Sequence, residues 1–194
     1  MTKTRLEAFS DAVIAIIMTI MVLELKVPHE VSWSAFEPLW PVFFSYIISF
    51  LGLGIYWGNH HHLIHTISKV SSGIIWSNMH LLFWLSLMPF ATAWVGETYF
   101  DKVPLAVYAA LATMCGVAYF ILLIVIRNCN PINDNLQSVL KKQQRKGAIS
   151  CILYTLSIPV ALFVNTIAAS LLIIIASVIW LIPDRNIEKA LHES

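Results

Sequence analysis

The chain has 194 residues, 58% hydrophobic and 12% charged, with a formal net charge of +1 and a mean hydropathy of +0.76. Soluble domains carry about 25% charged residues, so this composition excludes one and describes an integral, all-α membrane protein. The balanced charge gives no global field, and no Lys/Arg run is dense or aromatic-interleaved enough for a nucleic-acid partner. Cys115, Cys129 and Cys151 lack metal-ligand spacing and sit in or beside apolar segments, which argues for packing residues rather than a disulfide framework.

A hydrocarbon core of about 30 Å takes about 20 helical residues. Six segments approach that length, at 8–27, 39–64, 74–95, 104–126, 148–165 and 167–183, with no linker dividing residues 1–194 into two domains. The first opens with Arg5, Glu7, Ser10 and Asp11 and runs into an apolar stretch too long, and too acidic at its start, for a secretory signal. Ile16, Ile20 and Leu23 follow the i, i+4, i+7 spacing of one helical stripe. That stripe suits a pore wall, and spacing alone suits a lipid-facing or core face equally. The ionisable residues bracketing it are costly in lipid and favour protein or water. Glu24, one residue past Leu23, would ring an outer vestibule in a symmetric oligomer, or be a plain interfacial carboxylate.

The second segment ends in Tyr56-Trp57-Gly58-Asn59-His60-His61-His62, with His65 a turn later. His61 and His65, at i, i+4, have a spacing that can hold a divalent metal. No acidic or thiolate partner stands at neighbouring helical spacing, so a structural role is favoured. In that role the imidazoles and the Trp57 indole bond Arg5, Ser10 and Asp11, locking the first helix to the second at equal depth. In the third segment His80 stands alone on an apolar face as a packing histidine. Trp33, Trp40, Tyr46, Trp94 and Tyr99 form an interfacial belt.

Residues 128–147, with Asn130-Pro131 and the basic run Lys141 to Lys146, are expected to be the one substantial loop, and Pro159 to kink the fifth helix. Asn165-Thr166 then turns a tight hairpin. Ten of the twelve Lys and Arg fall on one side of this arrangement, Arg185 and Lys189 among them, and only Lys26 and Lys102 on the other. Cytoplasmic loops hold such an excess, which predicts a multi-pass protein of the cell membrane with both termini cytoplasmic.

The Arg5-x-x-x-Phe9-Ser10-Asp11 segment before an isoleucine-rich helix resembles the signature of the transmembrane protein 175 family of potassium channels. Tyr56 to His62, Leu87-Met88-Pro89-Phe90 and Ile182-Pro183-Asp184 are similar to its prokaryotic members. The resemblance implies a homotetramer of six-helix subunits in the lipid bilayer, with four copies of the first helix lining a central pore for potassium and other monovalent cations. It implies a constriction of Ile16, Ile20 and Leu23, with Thr19 beside the narrowest ring, in place of a carbonyl filter.

Consistently, nothing like Thr-Val-Gly-Tyr-Gly occurs, and no helix carries arginines at every third position. The expected function is therefore passive, potassium-preferring conduction, with permeant potassium and no cofactor. The alternative is a histidine-dependent membrane metal transporter or intramembrane metalloenzyme built on His61 and His65. With no nucleophile elbow, phosphate loop or paired catalytic carboxylates in the sequence, the expectation is a protein that is not an enzyme.

Overall fold

The computed structural model describes residues 1–129 and 134–181, and all regular structure among them is helical. Helix α1 spans Lys3–Ile20, beginning five residues before the expected start at residue 8. Thr2, extended at φ −79° and ψ 157°, accepts a hydrogen bond from the Arg5 amide at 3.4 Å and so caps the helix ahead of its charged turns. The helix also ends short of the expected residue 27. Met21–Glu24 tighten into a 3-10 turn, after which Leu25 is extended. Leu23 and Glu24 thus ride on a segment with three residues per turn, which stacks Leu23 over Ile20.

Helix α2 spans Trp40–His65, close to the expected 39–64, and follows a 3-10 segment at Trp33–Leu39. The single helix expected at 74–95 is two, α3 at Ser72–Ser86 and α4 at Met88–Glu97. Pro89 lies in the first turn of α4 and has no N–H for the Leu85 carbonyl four residues back, so the ladder breaks there. The Leu87 amide closes instead on Trp84 O at 3.2 Å. Together residues 72–97 remain long and apolar enough to cross a membrane.

Helix α5 spans Lys102–Cys129, α6 Asp134–Phe163 and α7 Thr166–Leu181. The basic loop expected over 128–147 is therefore mostly absent, because residues 134–147 are the first turns of α6. Lys, Gln and Arg are good helix formers, and their polarity marks exposure rather than irregular backbone. Pro159, where a kink is expected, lies inside α6, which runs on to Phe163. The hairpin at Asn165 is as expected, its Oδ1 accepting from the amides of Ile167 (2.7 Å) and Ala168 (3.3 Å). Asn130-Pro131, Ile182-Pro183-Asp184, Arg185 and Lys189 lie outside the described residues.

Among the described residues five stretches are long and apolar enough to span a bilayer, and Thr166–Trp180 is a shorter apolar helix, which is compatible with the six expected crossings. Helix α5 packs on α3, α4 and α6, α6 packs on α7, and α4 packs on α2. Helix α1 packs on α2 and α3. One continuous core joins these layers, with Ile14, Leu53, Leu81, Leu85, Leu122 and Ile126 at its centre.

Two glycines permit the closest approaches. A Cβ on Gly116 would stand 2.5 Å from Cys151 Sγ, and one on Gly96 would stand 2.7 Å from Val42 Cα and 2.6 Å from Ser45 Oγ. The Gly96 clash is with backbone, so α2 and α4 would have to separate. Gly96→Ala is expected to destabilise the subunit by about 1–3 kcal/mol through overpacking, seen as a lower midpoint of thermal unfolding in detergent. Gly52→Ala, with nothing within 4 Å of its Cβ, is expected to be neutral or to stabilise by up to about 1 kcal/mol.

Candidate functional site

Helix α1 divides its side chains by face. Leu6, Ser10, Ile14 and Ile17, with Met21 just beyond the helix, are buried against α2 and α3. On another face Ile16, Ile20 and Leu23 are 56%, 43% and 77% exposed, and Thr19 and Glu24 are exposed with them. Thr19 Oγ1 donates back to Ile16 O at 2.9 Å, which satisfies its proton within the helix and leaves its lone pairs free. All the residues expected at a constriction are thus on the outside of the isolated subunit. Ile16 and Ile20, with Glu24, form one wall of an open groove of about 840 Å³, and Pro89, Phe90, Ala93 and Glu97 form the other; Thr19 and Leu23 do not line it. At the Glu24 end of α1, Lys26 pairs with Glu97, whose carboxylate, by hydrogen bond and charge, holds the exposed ammonium above its usual range.

The opposite end of α1 is joined to α2 by a ladder. Lys3 Nζ donates to His65 O (2.6 Å), Glu7 Oε1 lies 3.0 Å from His65 Nε2 and 3.1 Å from His61 Nδ1, and Trp57 Nε1 donates to Asp11 Oδ1 (3.1 Å). Positions 3, 7 and 11 on α1 meet 65, 61 and 57 on α2, the register of two antiparallel helices with one contact per turn. The Glu7–His61 contact is close but poorly aligned, and His61 Nδ1 has no hydrogen-bond partner.

Behind the ladder lies a buried relay. His60 Nε2 is 2.7 Å from Asn78 Oδ1, Asn78 Nδ2 donates to Ser10 Oγ (2.9 Å), and Ser10 Oγ donates to Leu6 O (2.8 Å). His60, Asn78 and Ser10 are 0% exposed. An amide oxygen only accepts, so this network assigns the His60 proton to Nε2.

The structure therefore brings Ser10, Asp11, Trp57, His60 and His61 into one polar layer, with the Trp57–Asp11 bond as expected and the histidines on other partners. His60 reaches Ser10 through Asn78 of α3, and His61 meets Glu7. Arg5 makes no side-chain hydrogen bond or ion pair among the described residues; its backbone amide bonds Thr2, and its side chain falls on the exposed face with Phe9, Ile16 and Ile20. The expectation that His61 and His65 lack an acidic partner is also corrected. Glu7 arrives from the facing helix, and the ligand atoms of Glu7, His61 and His65 lie within 4.8 Å of one another, close enough to hold a metal ion.

Sequence reasoning missed Lys3, Glu7 and Asn78 as parts of this layer. The signal was two i, i+4 ladders, Lys3-Glu7-Asp11 and Trp57-His61-His65, at the same end of consecutive helices, plus a lone asparagine in an apolar run. His80 is satisfied within its own helix, accepting from Trp84 Nε1 at 2.9 Å.

Among the described residues, five stretches long and apolar enough to span a bilayer, a shorter apolar helix and a polar layer near one end describe a multi-pass α-helical membrane protein. Residues 5–89 match the family described as "Endosomal/lysosomal potassium channel TMEM175". A potassium channel of Chryseobacterium sp. (strain P1-3) is 50% identical over 194 residues, covering 100% of both chains. A potassium channel of Streptomyces collinus is 34% identical over 118 residues, 59% of this chain and 57% of that one. The crystal structure of a lysosomal potassium-selective channel TMEM175 homologue from Chamaesiphon minutus shares the fold, with a TM-score of 0.81 at 23% identity over 92% of this chain and 96% of that one. The chain belongs to the TMEM175 family of potassium channels. Its relatives are named as channels, not as enzymes or metal transporters.

Asn78→Ala would strand the His60 donor, at a cost of about 1–3 kcal/mol for a buried unpaired group. That exceeds the ~0.6 kcal/mol average of an interhelical hydrogen bond in a membrane protein. The expected outcome is a clear fall in the thermal midpoint of the solubilised protein, larger than that of Ser86→Ala, whose hydroxyl is exposed and bonds only within its own helix.

Proposed function

We propose that four copies of this single-domain chain assemble around a central pore lined by α1 and conduct potassium passively in preference to sodium. The observation that carries this reading is the aliphatic face of α1. A helix clamped on one side by core packing and a polar ladder leaves Ile16, Thr19, Ile20 and Leu23 exposed together on another. Lipid is a poor occupant for that side, because exposed Arg5 and Glu24 flank it at the two ends of the span and charge is costly in hydrocarbon, though less there than near the centre.

In the tetramer the aliphatic rings form the constriction. A narrow apolar neck expels water and gates by dewetting, and an ion passing it must shed hydration. Potassium sheds water more readily than sodium, so the preference is moderate. Thr19 oxygens offer polar contact beside the neck, and Glu24 rings the outer vestibule. The Lys and Arg excess supports an orientation with both termini in the cytoplasm, in which the ladder lies at the inner end of the pore helix and steadies it.

Reconstitution in liposomes with a potassium gradient tests this. Ile16→Asn is expected to enlarge the current and weaken preference over sodium. Current and selectivity indifferent to substitution of Ile16, Ile20 and Leu23 would place the constriction elsewhere. Glu24→Gln is expected to lower potassium conductance at ~0.01 M salt, where the screening length is about 30 Å, and to have little effect at ~1 M, where it is about 3 Å.

A further inference from the structure

We propose that Glu7, His61 and His65 form a binding site for a zinc-type divalent transition cation that bridges α1 and α2. The site goes beyond the pore reading and stands without it. Two imidazole nitrogens and one carboxylate oxygen make the three-ligand set that zinc accepts with a water in the fourth position. Tetrahedral zinc with bonds of about 2.0–2.2 Å holds its donor atoms about 3.3–3.6 Å apart. Glu7 Oε1 already stands 3.1 Å from His61 Nδ1 and 3.0 Å from His65 Nε2, so these two edges need open by only a few tenths of an ångström, and the two imidazole nitrogens lie within 4.8 Å of each other.

The local chemistry points the same way. His61 Nδ1 is sealed from solvent and faces a carboxylate oxygen without an aligned hydrogen bond, a pairing that an intervening cation would satisfy. The set is held from both sides: the Trp57–Asp11 rung lies one turn along, and Lys3, the neighbouring cation, has its Nζ bonded to His65 O at 2.6 Å. The side chains of His61 and His65 are 39% and 43% exposed, which gives the ion an entry path and its water a place. With two nitrogen donors and only one carboxylate, the site favours zinc, cobalt or nickel over magnesium and calcium, which demand oxygen.

The test uses the full-length, tag-free protein in detergent, titrated with ZnCl2 by calorimetry and followed by thermal unfolding. The expected result is one zinc per subunit, a raised unfolding midpoint, and no such effect of CaCl2. Glu7→Gln and His65→Gln are each expected to weaken binding by more than about tenfold, while His62→Gln, adjacent but outside the set, retains it. Unfolding of each variant without metal verifies its fold. CoCl2 on the wild-type protein supplies a readout without substitution, an intense visible absorption from low-coordinate cobalt. Absence of zinc binding, or binding undiminished in both Glu7→Gln and His65→Gln, would overturn the proposal, as would a cobalt spectrum identical to that of the aqueous ion.

Discussion

The rotational setting of α1 is the constraint on which the rest depends. Successive residues of an α-helix are about 100° apart, so an error of one residue in its packing would turn a different set of side chains outward. Hydrophobic contact alone sets rotation weakly on a helix this uniformly aliphatic. Directional contacts do better: the rungs from Lys3 and Glu7 to His65 and from Trp57 to Asp11 fix one azimuth, and the Ser10–Asn78–His60 relay fixes a second toward α3. With both in place, Leu6, Ile14 and Ile17 must turn inward and Ile16, Ile20 and Leu23 must not.

This arrangement separates stability from conduction. Burial, small-residue contact and hydrogen bonds hold α2 to α7 together, as at Gly96 against Val42 or Trp180 Nε1 against Ser150 Oγ (2.9 Å). The outward face of α1 takes no part in that packing. Under the proposed function it is therefore free to answer to symmetry-related copies, and a substitution there changes the neck without unfolding the subunit. The 3-10 turn at Met21–Glu24 adds a further consequence, because it sets Leu23 directly above Ile20, where a continuing α-helix would have kept it on the same stripe but about 60° round from Ile20.

Much of the fold was legible in the sequence, since apolar runs of span length carry their own evidence. The misreadings have specific causes. Polarity does not mean irregularity at 134–147, where Lys, Gln and Arg form the first turns of α6, and a single apolar run hides a helix boundary at Pro89, where the backbone ladder cannot continue. In the polar layer the participating types were visible, but their pairing was not. Which histidine meets which acid depends on the register between α1 and α2, and the role of Asn78 depends on α3, neither of which is written in local spacing. Arg5 shows the same limit from the other side. It stands in a recognisable motif, yet its place on the helix wheel sends it to the exposed face.

The most direct measurement is spin-label spectroscopy on α1 in reconstituted protein lacking the three native thiols. A nitroxide at Leu23→Cys should show strong dipolar broadening from its symmetry mates and low accessibility to oxygen, while one at Leu171→Cys, on the exposed face of α7, should show neither broadening nor protection. A Leu23 label that is unbroadened and freely reached by lipid-dissolved oxygen would contradict the account.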